Sequence, residues 1–461
     1  MELKGRNVVV LGLGDTGLSM TRWLARHGAV VRVADSRSEP PHAATLGREL
    51  PQVRLATGAF TEKTLSGADL IAISPGIDRR ESVIADAVKR GVPLAGDVEL
   101  FAQAIAADAR LGKTPVLAVT GSNGKSTVTA MAGAMCRAAG RETVVAGNIG
   151  LPVLDALAAI GAGGVAPQVF VLELSSFQLE STHSLEPAAA AMLNLTEDHL
   201  DRYDGMADYA AAKARVFAGG SVQVLNRDDR WSMGMARADR TTFTFGLGKP
   251  HADSEWGIAP GRGADMLARG AHPLMAVHEL PLAGLHNAAN ALAAHALAHA
   301  IGLPDEPLAV ALREFQGLPH RVQKVAEIGG VAFYDDSKGT NVGATVAALT
   351  GMGRPVVLIA GGDGKGQDFA PLAPALASHA RAVVLIGRDA DRIARAIAES
   401  GVPDVRAGGM EEAVQTAFRA SRAGDAVLLS PACASFDMFR NYEHRAEVFI
   451  AAVRRLERKR S

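Results

Sequence analysis

Short runs rich in Val, Ile and Leu recur along the chain, each followed by a glycine turn and an Ala/Leu-rich stretch of helical period. The first three runs are Asn7–Leu11, Val30–Val33 and Asp69–Ile73. They are apolar at successive positions rather than alternating. That pattern suits strands buried on both faces of a parallel sheet, with helical crossovers between them. The pattern restarts at Pro115–Thr120, after the looser stretch Ala107–Thr114, and again near Val331–Tyr334, after Gly317-Leu318-Pro319. These restarts predict an α/β chain of three domains, spanning 1–106, 107–317 and 318–461. Residues 246–273, rich in Gly, Pro, Asp and His, break the pattern and read as loop or short antiparallel strand. No internal repeat of fixed period is present.

Length agrees with this division, since 461 residues at roughly 150 per domain give about three. Forty-eight Lys+Arg balance 49 Asp+Glu, a net charge of −1. A general nucleic-acid or membrane-surface binder needs a large basic excess, so no nucleic-acid or membrane partner is expected. A local basic pocket for phosphates remains compatible. Two cysteines, Cys136 and Cys433, cannot build a disulfide framework or a Cys-based zinc site. The start MELKGRNVVVLGLG runs straight into a strand, without the long apolar stretch of a signal peptide. No apolar run approaches 18 residues. A soluble, cytoplasmic, multidomain protein is expected.

Gly12-Leu13-Gly14-Asp15-Thr16-Gly17 fits G-x-G-x-x-G between the first strand and a helical stretch, Leu18–Arg26. Glycines there permit a tight turn and close phosphate approach, and helix N-terminal N–H groups attract the anion. Asp35 ends the second strand and can accept hydrogen bonds from a ribose or a base. Ser74-Pro75-Gly76 adds a turn at the same end of the expected sheet. Three readings stay open on this motif: a nicotinamide dehydrogenase, a turn without ligand, or a site for another diphosphate-bearing nucleotide.

The second glycine motif decides the class. Thr120-Gly121-Ser122-Asn123-Gly124-Lys125-Ser126-Thr127 joins the strand Val116–Val119 to a helix over Val128–Ala139. Val119 stands where the usual phosphate-loop pattern has its first glycine. The chemistry survives that change: backbone N–H groups cradle phosphates, Lys125 meets the β/γ charges, and Ser126 reaches Mg²⁺. A dehydrogenase has no use for such a loop. Glu173 ends the apolar run Val169–Leu172, where P-loop enzymes carry the acid that holds Mg²⁺; a turn or capping acid is the plainer alternative. His199 follows another strand end within Asn194-Leu195-Thr196-Glu197-Asp198-His199, beside several acids. Lys213, on the Ala-rich helix Tyr209–Lys213, reads by itself as a solvated surface lysine.

These motifs together resemble the Mur ligase family over nearly the whole chain. The segments that carry the resemblance are Gly12–Ser19, Thr120–Thr127, Gly147–Gly150, Leu172–Leu179, Asn194–Tyr203, Tyr209–Lys213, Gly284–Asn290, Gly317–Arg321, Asp335–Asn341, Gly361–Lys365 and Ser430–Phe439. The P-loop, Glu173 and His199 would suit any Mur ligase or a folylpolyglutamate synthase. LSSFQL, DSKGTN and SPACASFD resemble the branch that adds D-glutamate.

The resemblance implies a Rossmann-like N-terminal domain holding UDP-N-acetylmuramoyl-L-alanine through Asp15, Thr16, Asp35, Ser36, Arg37, Ser74 and Gly76, with Asn148 and Gln178 on its muramoyl part. It implies a P-loop central domain binding ATP through Gly121, Ser122, Asn123, Gly124, Lys125, Ser126 and Thr127, with Asn287 and Asn290 near the adenine. A Rossmann-like C-terminal domain would bring Arg321, Asp336 and Lys338 to the nucleotide, and Thr340, Lys365, Ser435 and Tyr442 to D-glutamate. Tyr442 stands where some relatives have Phe. Lys213 matches a lysine carbamylated in the family, which would join Glu173, His199 and Ser126 in holding two Mg²⁺ ions. Lys125, Glu173, His199 and Lys213 are thus the expected catalytic group. The implied reaction is ATP-dependent amide formation through an acyl phosphate, in peptidoglycan precursor synthesis, by a monomer whose domains close on small-molecule substrates. The rivals are a folylpolyglutamate synthase, a NAD-dependent oxidoreductase and a non-catalytic nucleotide switch.

Overall fold

A computed structural model describes residues 2–282 and 284–459, so the outermost positions of the first and last expected domains, Met1 and Arg460–Ser461, lie outside the described residues. Three sheets follow one another along the chain. The first has the strand order Arg54–Thr57, Val30–Asp35, Asn7–Leu11, Leu70–Ile73 and Leu94–Ala95, all parallel. The order reverses between the strands 7–11 and 70–73. A reversal of this kind opens a crevice at the carboxyl ends of the strands. The two turns expected to meet phosphate, 12–17 and 74–76, leave these two strands.

The central sheet has nine strands. Its heart is Ala189–Met192, Val116–Thr120, Val169–Glu173 and Thr143–Gly147, all parallel. Beyond Val222–Asn226 and Thr242–Phe245 it is extended by Glu255–Pro260, Asp265–Arg269 and His272–Ala276, the last three paired antiparallel. The region 246–273 thus carries short antiparallel strands joined by loops, as its composition suggests. Trp256 on its inner face is fully buried and supplies the anchor that a Gly- and Pro-rich composition conceals. The third sheet runs Gln323–Ile328, Val331–Asp335, Ala426–Leu429, Val356–Gly361, Ala380–Ile386 and Asp404–Arg406, with only the first pair antiparallel.

Both glycine motifs open helices three residues earlier than the apolar pattern suggests, at Asp15 and Lys125, with Gly14 and Gly124 as the residues before the first turn. First-turn N–H groups have no intrahelical partner, so beginning the helix on the loop itself points those donors into the ligand space. Gly17 is required by contact: a Cβ there would stand 1.9 Å from the Gly12 carbonyl oxygen. Gly124 has φ +84°, and a Cβ there would lie 2.5 Å from Asn290 Oδ1.

The first two sheets share one apolar core. It runs from Val8, Val10 and Leu13 through Val98 and Phe101 on the helix Asp97–Ala107 to Val153, Leu154, Phe170 and Leu172. Phe101 meets Phe170 edge-on at 5.2 Å between centroids. The third sheet has its own cores, for example Val342, Leu349, Leu358, Val383 and Ile393 on one face. Its named side-chain links to the middle of the molecule are polar: Arg321 to Ser126, Asn341 to Asn123 and Asp198, and Lys365 to Asp198. The first two units are thus joined through apolar packing, whereas polar contacts of the kind along the seam exchange readily with water. Among the described residues no helix is long and apolar enough to cross a membrane.

Candidate active site

At the switch point of the first sheet lies a cleft of about 810 Å³. Its walls include Gly12, Asp15, Thr16, Ser36, Arg37, Ser74, Gly76, Asn148 and Gln178. Eight of the nine positions expected to meet the sugar nucleotide thus line this cleft, and Asp35 is the exception. Its side chain is 1% exposed. It accepts from the Leu13 N–H at 2.6 Å and from the Arg37 N–H and guanidinium at 2.6–2.9 Å. Hydrogen bonding to Arg37 holds its carboxyl down at about 2. With its lone pairs committed, Asp35 braces the glycine turn and aims Arg37, and is not a free acceptor for a ribose or base. Ser74 likewise donates to the Gly12 carbonyl at 3.1 Å, tying the two turns together. Sequence reasoning missed His42, which lines the cleft and meets Asp15 Oδ1 at 2.7 Å. Nothing local to His42 marks it, because the contact depends on how the loop at 36–42 folds over the helix Asp15–Arg26.

The second cleft, about 240 Å³, lies between the central and third units. Asn123, Gly124, Thr127, Asn287, Asn290, Arg321 and Asp336 line it, together with Asn194, Asn226 and Asp228. The phosphate loop is held open by its own contacts. Lys125 Nζ donates to the carbonyls of Gly121 and Ser122, both at 2.9 Å. The Asn123 N–H donates to Asn194 Oδ1 at 2.8 Å, and Ser122 Oγ donates to the Thr196 carbonyl at 3.0 Å. Burial pulls the Lys125 ammonium below its ordinary value, although Glu173 and Asp198 pull the other way. A cation held there on neutral carbonyls gains when a polyanion arrives.

Beyond the loop, Glu173 ends its strand fully buried. Its Oε1 accepts from Asn148 Nδ2 at 2.8 Å, while Oε2 has no hydrogen-bond partner among the described residues. Ser126 Oγ accepts from Arg321 at 2.9 Å across the seam. His199 has φ +58° and stands 3.6 Å from Asp198. Burial, then Lys365, Lys125 and Lys213, lower its basicity against the pull of Asp198, so the ring is kept neutral and able to ligate. Burial works against the charge of Asp198, but His199, Lys365, Lys125 and Asn341 outweigh it and hold that carboxyl below its usual value.

Lys213 is a correction to the sequence reading. It is 1% exposed, not solvated. Its Nζ donates to the Gly121 carbonyl at 2.8 Å and lies 4.8 Å from the centre of the Tyr209 ring. Burial, reinforced by Lys125, holds its pKa well below that of an ordinary lysine. Helix Met206–Ala214 packs this side chain under the phosphate loop, a long-range event that the run of alanines does not reveal.

These donors fit a divalent cation. The orphaned Glu173 oxygen needs a positive partner, and Ser126 Oγ and the neutral His199 ring are ligands of suitable chemistry. Among the described residues no group of three or more His, Cys, Asp or Glu side chains is arranged to hold a metal alone. Phosphate, water or a modified lysine must then supply the other ligands, as is usual for Mg²⁺.

In the third unit Asp336 is buried and accepts from Ser430 Oγ at 2.7 Å; burial raises its carboxyl to about 7. Lys338 stands 5.3 Å from the Tyr442 ring centre. Lys365, with φ +49°, reaches across the seam to Asp198 at 3.8 Å. Ser435 is buried, and Thr340 is half-buried. Thr340, Lys365, Ser435 and Tyr442 line neither large cleft; the first three lie on the loops after the strands 331–335, 356–361 and 426–429, and Tyr442 opens the helix Tyr442–Arg458. Two of these loops are clamped by Arg445, which sequence reasoning missed. Its fully buried guanidinium donates to Ser337 Oγ at 2.9 Å, to the Ser337 carbonyl at 2.7 Å and to the Cys433 carbonyl at 3.0 Å.

Comparison with known proteins matches the three units in order. The family model described as Mur ligase MurD-like, N-terminal domain, covers residues 6–96. Mur ligase middle domain covers 119–298, and Mur ligase, glutamate ligase domain, covers 320–433. A relative from Thiobacillus denitrificans, UDP-N-acetylmuramoylalanine--D-glutamate ligase, is 59% identical over 471 aligned residues, spanning 100% of this chain and 98% of that protein. Among solved structures, UDP-N-acetylmuramate-alanine ligase MurC from Thermotoga maritima superposes with a TM-score of 0.60 at 18% identity, covering 98% of this chain and 100% of that one. E. coli FolC in complex with ADP superposes with a TM-score of 0.54 at 17% identity, covering 79% of this chain and 94% of that one; likeness at such identity speaks for the fold alone. With three domain models in the expected order and close identity over its full length, the chain belongs to the Mur ligase family.

Proposed function

We propose that this Mur ligase joins D-glutamate to UDP-N-acetylmuramoyl-L-alanine at the expense of ATP, releasing ADP and phosphate, in peptidoglycan precursor synthesis. The observation that carries the reading is a cleft lined by the phosphate loop together with a separate cleft at the switch point of the first sheet, with 59% identity over the full chain to a D-glutamate ligase behind it. The unit 1–106 takes the sugar nucleotide, 107–317 takes ATP, and 318–461 supplies D-glutamate.

A carboxylate is a poor acyl donor because oxide is a poor leaving group. Its attack on the γ-phosphorus of ATP makes an acyl phosphate and frees ADP. The amine of D-glutamate then adds to the acyl carbon, and the tetrahedral adduct collapses with loss of phosphate. Positioning and charge stabilisation carry such a reaction. Lys125 and Arg321 face the transferring phosphoryl group. Asn287 and Asn290 border the adenine, with Asp336 and Lys338 on the nucleotide side. Lys365 offsets a D-glutamate carboxylate, Thr340 and Ser435 donate to it, and Tyr442 packs against it.

Ser126, Glu173, His199 and Lys213, the last as its carbamate, would hold two Mg²⁺ ions. Bound there, Mg²⁺ neutralises charge on the phosphoryl oxygens. Carbamylation turns a buried amine into an anion, which suits a lysine whose pKa burial already lowers. The polar seam lets the third unit close on the other two and exclude water from the acyl phosphate. The protein works as a monomer in the cytoplasm, its product feeding cell-wall growth.

The test is ADP release with UDP-N-acetylmuramoyl-L-alanine and ATP, with and without D-glutamate, with L-glutamate and folates as alternative partners. Release that depends on both the sugar nucleotide and D-glutamate is expected. Release with folate, or without any amino acid, would replace this reading with a folate ligase or a nucleotide switch.

A further inference from the structure

Gln178 lines the first cleft but is itself only 3% exposed, and most of its carboxamide is already engaged. Its Oε1 accepts from the Ser175 N–H at 3.1 Å and from Ser175 Oγ at 3.3 Å. Its Nε2 donates to Asp97 Oδ2 at 3.0 Å, across 81 positions of sequence. Asp97 lies in the first turn of the helix Asp97–Ala107, the element that fuses the first and second units. It is 1% exposed, and among the described residues its second oxygen, Oδ1, has no hydrogen-bond partner. Burial raises this carboxyl to about 6, while the hydrogen bond from Gln178 favours its ionised form.

Glu99, two residues further along the same helix, is also buried but has a different task. It accepts from the His183 and Ser184 N–H groups, from Ser184 Oγ and from Gln103. Glu99 holds the backbone after the helix Ser176–Glu180, whereas the side chain that Asp97 holds is that of Gln178.

An ionised carboxylate accepts hydrogen bonds and donates none, whereas a carboxamide has a donor end and an acceptor end. Turning the Gln178 amide over would set Oε1 against the Asp97 carboxylate and NH₂ against the Ser175 N–H, two repulsive contacts in a buried place. Asp97 therefore admits one orientation. In that orientation one Nε2–H is spent on Asp97 and the other is left for the cleft.

We propose that Asp97 is a positioning residue for substrate binding: it fixes the Gln178 amide so that the first cleft offers an N–H donor to an acceptor oxygen on the acyl arm of the sugar nucleotide. This rests on the proposed function, since it needs that substrate in that cleft. The arrangement also explains why an acid without a cationic partner is kept at the junction of two units. Its negative charge selects the donor face of Gln178.

The experiment is steady-state kinetics of the full chain and of D97A, D97N and E99Q, with thermal melting of each. D97A is expected to raise KM for UDP-N-acetylmuramoyl-L-alanine by about 5- to 30-fold, the weight of one hydrogen bond in a buried site. Its KM values for ATP and D-glutamate should stay within about twofold. D97N retains an acceptor oxygen but no longer forbids the turned amide, so its KM should rise by a smaller factor, about two- to fivefold. E99Q should leave that KM unchanged even if it melts lower, because Glu99 holds backbone and not Gln178. Unchanged KM in D97A, or in D97N should D97A fail to fold, overturns the proposal. So does an equal rise in E99Q, which would reduce the effect to a loosened junction. Absence of ADP release by the unaltered protein would instead overturn the proposed function.

Discussion

Replacing Lys213 by methionine separates the two reasons for having a lysine under the phosphate loop. The side chain is 1% exposed, and its two hydrogen-bond partners, the Gly121 carbonyl at 2.8 Å and Thr120 Oγ1 at 3.5 Å, are uncharged. Burial and the like charge of Lys125 both disfavour the ammonium, with Asp198 and Glu173 pulling the other way. Placing an ammonium there costs several kcal/mol of desolvation. Methionine has nearly the same length and no charge. It gives up two hydrogen bonds of about 1 kcal/mol each, and the Gly121 carbonyl keeps the one it accepts from Lys125. The balance favours the variant by about 1–2 kcal/mol when Mg²⁺, nucleotide and bicarbonate are withheld. At roughly 2–4 °C per kcal/mol for units of this size, the melting temperature should rise by about 2–8 °C. Turnover should nevertheless fall by at least about 10²-fold, the usual weight of one group stabilising transition-state charge. K213A, which leaves room for a small anion, should recover part of its activity with formate or acetate, and added bicarbonate should raise the melting temperature of the unaltered protein alone. Scanning fluorimetry and an ADP-release assay read all of this. Full turnover by K213M, or a melting temperature several degrees lower, would refute the reasoning, because the lysine would then be a structural cation and not a reservoir for a carbamate.

Lys125→Ala should cut ADP formation by about 10²–10³-fold while binding of the sugar nucleotide, measured by calorimetry, changes little; retained turnover would remove Lys125 from the phosphates. Arg445→Leu deletes the clamp on the loops carrying Ser337 and Cys433 and strands two buried carbonyls. The expected loss is about 3–5 kcal/mol in urea unfolding, and a loss below about 1 kcal/mol would contradict a bracing role. Burial lowers His286 from 6.5 to about 4, so the folded chain binds fewer protons than the unfolded chain between those values. Its contribution is whole above pH 6.5, is lost as pH falls toward 4, and amounts to about 3 kcal/mol when complete. His286→Gln should flatten that acid limb relative to the unaltered protein, and equal acid sensitivity in both would exclude the histidine as its source.

Much of the site was legible because its chemistry is local. A glycine loop between strand and helix, read at 12–17 and 120–127, needs only neighbours in sequence to become a phosphate cradle. Glu173 was legible for the same reason, since the end of an apolar strand in such a sheet faces the ligand crevice. Lys213 was not. Its helix looks soluble in isolation, and only its docking beneath Gly121, 92 positions earlier, turns a surface residue into a buried amine. Asp35 was legible as an acid at a strand end but not in its task, because the Leu13 N–H and Arg37 that consume it are set by folding of the turn.

The order of apolar runs and glycine turns was enough to determine three α/β units, parallel sheets and two anion-binding helix starts, since each follows from backbone geometry and burial within a few dozen residues. Tertiary structure alone decided which units fuse and which meet across a polar seam. It also decided which charges lose their water. Asp97 reaching Gln178, Arg445 reaching Ser337 and Lys365 reaching Asp198 join positions 81, 108 and 167 residues apart. Desolvation depends on everything that surrounds a group, and no window of sequence contains its surroundings.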